Sequence, residues 1–227
     1  MPSVWRSRLR AFALLFVPPT SRNRLARRLT QLVAGLVLSG ISDALMVLAR
    51  LGIDPWNVFH QGLSLHTGIP LGTWSILVGI GALSLWIPLR QRPGVGTLLN
   101  VVLIGAVIDL VLSVVPPPGA LLSRVAVLVA GVFLNGVATG CYIGAGLGPG
   151  PRDGLMTAMA ARGYSLRLVR TGMEVTVLAA GWLLGGNVGP GTLLYALSIG
   201  PLAHAFIPRF TLAATAAEAT KTASAHT

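Results

Sequence analysis

Six apolar stretches of about twenty residues dominate this sequence, at 29–49, 71–89, 97–115, 121–143, 168–184 and 191–207. A helix that crosses the ~30 Å hydrocarbon core of a bilayer needs about 20 such residues. The composition points the same way. Of the residues, 53% are hydrophobic and 10% are charged, whereas a soluble domain carries about a quarter charged residues. So few charges cannot cover the surface of a water-soluble fold. The reading is an all-α polytopic membrane protein with six transmembrane helices and the lipid bilayer as its main surroundings.

The net charge of +11 does not indicate nucleic acid. Seven arginines fall between Arg6 and Arg28, and most of the others sit in short loops between apolar runs. Membrane proteins mark their cytoplasmic side in this way, whereas a nucleic-acid binder gathers basic residues on one folded face. Residues 1–28 read as a basic cytoplasmic segment, because arginines rather than a small-residue cleavage site follow the short run 11–17. Residues 212–227, small and polar, read as a disordered tail. The single cysteine, Cys141, lies in an apolar run, where it packs as a small hydrophobe. No metal-ligand spacing or catalytic constellation is present, so neither a metal, a cofactor nor an enzyme activity is expected.

Between these ends the chain repeats itself. At an offset of 96, Gly35-Leu-Val-Leu-Ser-Gly40 matches Gly131-Val-Phe-Leu-Asn-Gly136, and Leu51-Gly52 matches Leu147-Gly148. Pro55, Asn57 and Trp86 match Pro151, Asp153 and Trp182. With one residue slipped, Gly94-Val-Gly-Thr-Leu-Leu99 matches Gly189-Pro-Gly-Thr-Leu-Leu194. The membrane repeats are therefore 29–117 and 118–211. Each contains a Gly/Pro break and a short helix, at 55–67 and 151–162, which at about 1.5 Å per residue is too short to span. Three crossings per repeat invert the second repeat relative to the first. The arginines agree: with the N-terminus inside, the Arg90–Arg92 hairpin and the Arg152–Arg170 segment are inside, and so is the C-terminus.

Inverted repeats with interrupted helices are a recurring build for secondary transporters. At the first break, Asp54 suits an N-cap and Pro55 the first helical position. Asn57, His60, Gln61 and Ser64 then form one polar stripe, with Trp56, Phe59 and Leu63 on an apolar one. Two readings stand: a re-entrant helix whose stripe lines an aqueous path, or an amphipathic helix lying on the membrane surface. At the second break, Gly148-Pro-Gly-Pro-Arg-Asp-Gly154 cannot continue a helix, and it places Arg152 and Asp153 at the start of the short helix. Ionisable groups inside spans are functional candidates by default; they are Asp43, Asp109, Glu174 and His204, with Asp109 and His204 at matched positions. Arg170 and Glu174, at i and i+4, can pair, either as a gate or as a structural bridge. Gly136, Gly140 and Gly144 share a helix face suited to close packing.

The residues 51–57, Gly148-Pro-Gly-Pro-Arg-Asp-Gly-Leu-Met156, Arg170 to Glu174 and Gly189-Pro-Gly-Thr192 resemble the YczE/YitT-type bacterial integral membrane proteins over roughly 30–208. Asn57 stands where many of those proteins have an acid. The resemblance implies a bacterial plasma-membrane protein, and some similar proteins are regarded as exporters of small molecules. The combined expectation is a secondary transporter of an unidentified small molecule, able to form a homo-oligomer. Its pathway would comprise Asp54, Asn57, His60, Gln61, Asp109, Arg152, Asp153, Arg170, Glu174 and His204. A non-transporting scaffold or accessory subunit is the alternative. The topology has a direct test. Single cysteines at Gln91 and Gly186, in a Cys141→Ser background, should label from opposite sides of the membrane. Labelling of both from one side would refute inverted repeats.

Overall fold

The structure is a computed structural model that describes residues 22–211, with side chains from residue 25 onward. Segments 1–21 and 212–227, which hold most of the expected basic segment and the whole expected tail, lie outside the described residues. Among the described residues there are eight α-helices and no strand. They are α1 (Arg22–Ala49), α2 (Pro55–Thr67), α3 (Leu71–Ser84), α4 (Val95–Val114), α5 (Leu121–Gly144), α6 (Pro151–Ala160), α7 (Leu166–Leu183) and α8 (Pro190–Phe210).

The helix α1 begins at Arg22, well ahead of the apolar run, so the last basic residues form its first turns and Arg28 is buried. Four helices are long and apolar enough to cross a membrane: α1 from Leu25, then α4, α5 and α8. The α2–α3 pair, bent by 114° at its break, makes a fifth if the two together form one span. This is fewer than the six expected from hydropathy alone. The helix α3 stops at Ser84 rather than continuing to residue 89, and turns carry the chain on to Arg90, whose φ is 54°. The helix α7 carries Arg167, Arg170 and Glu174 within its 18 residues.

Small residues set the packing. The first helices of the two halves, α1 and α5, lie against each other: Gly35 faces Tyr142 and Cys141, and Gly131 faces Ser42 and Met46. The helix α4 rests on α1 where Gly40 meets Ile104 and Val107, and α8 rests on α5, with Leu202, Phe206 and Phe210 over Gly136, Gly140 and Gly144. Close backbone approach substitutes for the hydrophobic drive that lipid does not supply.

The two breaks hold each other. The Gly191 amide donates to the Leu51 carbonyl at 2.7 Å, and the Gly96 amide donates to the Leu147 carbonyl at 2.9 Å. The break of each half is thus satisfied by the first turn of the last helix of the other half. Gly52 and Gly148, one residue on, have φ of 101° and 123°. A Cβ at Gly52 would lie 2.5 Å from the Gly189 nitrogen, so both backbone shape and space require glycine there.

The halves differ in how their last two helices pack. The helices α3 and α4 pack side by side: Gly72 and Gly105 touch backbone to backbone, and Gly79 sits against Val101. The matched helices α7 and α8 make hardly any contact with each other. Gly200, the counterpart of Gly105, has nothing within 4 Å of a built Cβ. Leu168 and Val175, the counterparts of Gly72 and Gly79, are 75% and 57% exposed.

The Asp109 carboxylate, from α4, accepts from the Gly72 amide at 2.6 Å and from the Thr73 hydroxyl at 2.8 Å. It satisfies the otherwise open N-terminus of α3, where Pro70 offers no side-chain cap. Asp109→Ala should therefore cost roughly 1–2 kcal/mol, the usual loss for a cap. Thermal unfolding in detergent should show a clear drop in Tm. An unchanged Tm would mean that this cap does not hold α3 to α4.

Candidate functional site

Both breaks open onto one cavity of about 290 Å³. From the first break come Asp54 and Trp56; from the second come Gly150, Pro151, Arg152, Asp153 and Met156. The long helices add Ser39, Asp43, Asn100, Asn135, Thr139, Tyr142 and Tyr195, and α7 adds Arg170 and Glu174. Where α7 and α8 stand apart the cavity reaches the surface: Arg170 and Gly200 line it there and are exposed.

The lining recurs in pairs one repeat apart. Ser39 and Asn135, Asp43 and Thr139, Asp54 and Gly150, and Trp56 and Arg152 all line the cavity and are separated by 96 residues. After the one-residue slip, Asn100 pairs with Tyr195 and Ile104 with Ile199, at a separation of 95. The matched residues Trp56 and Arg152 touch: the Arg152 guanidinium carbon lies 4.5 Å from the Trp56 ring centroid. Two equivalent positions in contact must lie where the two halves meet, so the cavity occupies the junction of the repeats.

Local structure fixes the first break. Asp54 caps α2 by accepting from the Asn57 amide at 3.2 Å, with Pro55 at the first helical position. The Asn57 side-chain amide donates back to the Asp54 carboxylate. That fixes its carbonyl oxygen as the acceptor for His60 Nδ1, 3.2 Å away. Asp54 is 5% exposed, Asn57 2% and His60 0%. The chain Asp54–Asn57–His60 therefore runs from the cavity wall into the protein interior. Gln61 accepts from the Asn187 amide at 2.7 Å and ties α2 to the α7–α8 hairpin.

Of the ten residues singled out from sequence, Asp54, Arg152, Asp153, Arg170 and Glu174 line the cavity. Asn57 and His60 lie behind the wall, and Gln61 bonds elsewhere. Asp109 caps α3, and His204 is exposed on α8 away from the cavity. The Asn57 and His60 part of the α2 polar stripe is thus buried in protein, with Gln61 and Ser64 half-buried. The helix instead presents Trp56, placed on the apolar stripe by spacing alone, to the cavity. The Arg170–Glu174 bridge forms as the spacing suggests, at 3.0 Å.

Sequence reasoning passed over Ser39 and Asn135. Their signal was present: they are the one polar position in the repeated segments 35–40 and 131–136. Asn135 holds the centre together, donating to the Ser42 hydroxyl at 2.8 Å and to the Asp43 carboxylate at 2.9 Å. No signal of comparable strength marks Tyr142 or Tyr195, which read as ordinary span residues.

Residues 26–208 match a family described as a family of unknown function, DUF6198. A Bacillus subtilis protein named "Uncharacterized membrane protein YczE" is 38% identical over 193 residues, covering 83% of this chain and 89% of that protein. The chain belongs to this YczE-type family. A Haemophilus influenzae protein is 40% identical over 177 residues, covering 78% of this chain and 81% of its own length. A second B. subtilis protein, YyaS, is 29% identical over 181 residues, 77% of this chain and 89% of its own. No solved structure matches the chain. The matched span contains every described helix in whole or in most part, so the cavity belongs to the part of the chain shared with the YczE-type relatives.

The placement of side chains predicts a labelling pattern. In a Cys141→Ser background, cysteines at Ser39, Asn100 and Thr139 should react with a small aqueous thiol reagent. Cysteines at Asn57 and His60 should be protected. Fast reaction at residues 57 and 60 would mean that the α2 stripe, not the shared cavity, faces water.

Proposed function

We propose that this YczE-type protein is a secondary transporter of the bacterial plasma membrane, cycling between two conformations around the shared cavity. The observation that carries this reading is the cavity itself: it is lined in matched pairs by both halves, yet the matched helix pairs beside it pack differently. The helices α3 and α4 close one side through Gly72 and Gly105, while α7 and α8 stand apart at Gly200. Two halves of one repeat in two packings describe both states of a two-state element. In the second state α7 and α8 close over Gly200 while α3 and α4 part.

The reading includes six crossings in two inverted repeats, with α7 and the α2–α3 pair as the spans that length and composition leave open. On the arginine distribution, the open side is cytoplasmic and both termini are inside. The Arg170–Glu174 pair then stands at the inner mouth as a gate. The sequence carries no ATP-binding motif, so the cycle draws on an ion gradient or on a partner ATPase.

Two measurements test this. Purified protein in proteoliposomes should move substrate only when a proton or sodium gradient is imposed. In a Cys141→Ser background, cysteines replacing Leu168 and Gly200 should cross-link with a short bifunctional reagent, and the cross-link should stop flux. A cross-link that never forms, or one that leaves flux intact, would refute closure of α7 on α8. Absence of flux for any small molecule in correctly folded protein would favour a non-transporting scaffold.

A further inference from the structure

The whole chain contains six acidic residues. Four of them, Asp43, Asp54, Asp153 and Glu174, line this one cavity, against two arginines, Arg152 and Arg170. In a protein of net charge +11, this cavity is lined by more acidic than basic side chains. Of its charged groups, only Arg170 and Glu174 form an ion pair among the described residues. Asp43 and Asp54 accept hydrogen bonds from the Asn135 and Asn57 side-chain amides, and the cation near both is Arg152, which forms no ion pair with them among the described residues.

A second observation points to what fills the space. The Trp56 face in the cavity already holds a guanidinium, that of Arg152, at 4.5 Å. An aromatic face beside carboxylates is a general receptor for organic cations. Among the described residues the acids do not converge on one point as a metal set would. They are spread around a space of about 290 Å³, near the lower end of the roughly 300–1,000 Å³ of small-molecule pockets. The arrangement suits an extended organic cation better than a bare metal ion.

We infer that the cavity binds a small organic cation of the amidinium, guanidinium or aromatic ammonium type, in competition with protons. The inference rests on the transporter reading only for its direction of use; binding stands by itself. Cation and protons compete for the Asp43 and Asp54 carboxylates, so each positive charge that enters releases up to one proton. Arg152 acts as a tethered stand-in: its guanidinium covers the Trp56 face and swings away when substrate arrives.

The test uses three molecules of one shape and three charges, benzamidinium, benzamide and benzoate, with ethidium as a larger cation. Titration calorimetry on the full chain in detergent, in buffers of different ionisation enthalpy, reads affinity and proton release together. Benzamidinium or ethidium should bind with release of protons, and benzamide and benzoate at least about tenfold more weakly. Asp54→Asn keeps an oxygen that accepts the Asn57 backbone amide and so still caps α2; the Asn57 side chain loses its acceptor, a melting curve checks that the fold is kept, and cation affinity falls about tenfold. Asp43→Asn should do the same. Arg152→Gln should strengthen cation binding, because a competing charge is removed; an anion site would weaken instead. Equal or tighter binding of benzoate or benzamide, or no binding of either cation, overturns the inference. Cation binding with proton release but no flux in proteoliposomes would sustain the cation site and refute transport. Flux of benzoate or benzamide without flux of the cations would sustain transport and refute the cation class.

Discussion

In a chain surrounded mostly by lipid, every interruption of a helix leaves backbone donors and acceptors with no water to take them. Here the interruptions at Leu51 and Leu147 are satisfied across the molecule, by the Gly191 and Gly96 amides. This exchange explains several features at once. It requires glycine at residues 52 and 148, where the chain turns through positive φ against the opposite half. It brings the starts of α4 and α8 to the breaks. It sets the first turns of the short helices α2 and α6 beside one space, so that polar side chains next to each break line one cavity.

Charge follows from that geometry. A carboxylate or guanidinium in an apolar span is costly unless it is paired or faces water or a ligand. The breaks provide such a place, and the charged residues of the inner helices collect there. Asp54 combines two roles: it caps α2 through the Asn57 amide and stands on the cavity wall. Asp109 shows the opposite outcome. It lies within α4, and both its oxygens are engaged at the start of α3. Its role is to join α3 to α4.

The unlike packing of α3–α4 and α7–α8 gives the molecule its polarity. Glycine at residues 72, 79 and 105 allows α3 and α4 to lock, while Leu168 and Val175, the counterparts of Gly72 and Gly79, are bulky and exposed. The sequence therefore does not treat the two sides equally. A transporter with this build would have one side that closes by backbone contact and another that closes by side chains and the Arg170–Glu174 pair.

The sequence by itself determined the membrane surroundings and the all-helical build, because these depend on composition and local order. Long apolar runs suit lipid; Asp54-Pro55 is a local helix-start signal; and matched glycines survive as a readable series. It also marked Asp54, Arg152, Asp153, Arg170 and Glu174, since charges beside helix breaks stand out against an apolar background. Only the tertiary structure decided which face of α2 meets the cavity. Helical spacing groups Asn57, His60 and Gln61 on one side, but it cannot say whether water or protein lies there, and the Asp54–Asn57–His60 hydrogen bonds turn that side inward. The structure likewise set Trp56 against Arg152, Asp109 against α3 and His204 on the exposed face. Each of these depends on how helices distant in the chain come together, and no local pattern of residues carries that information.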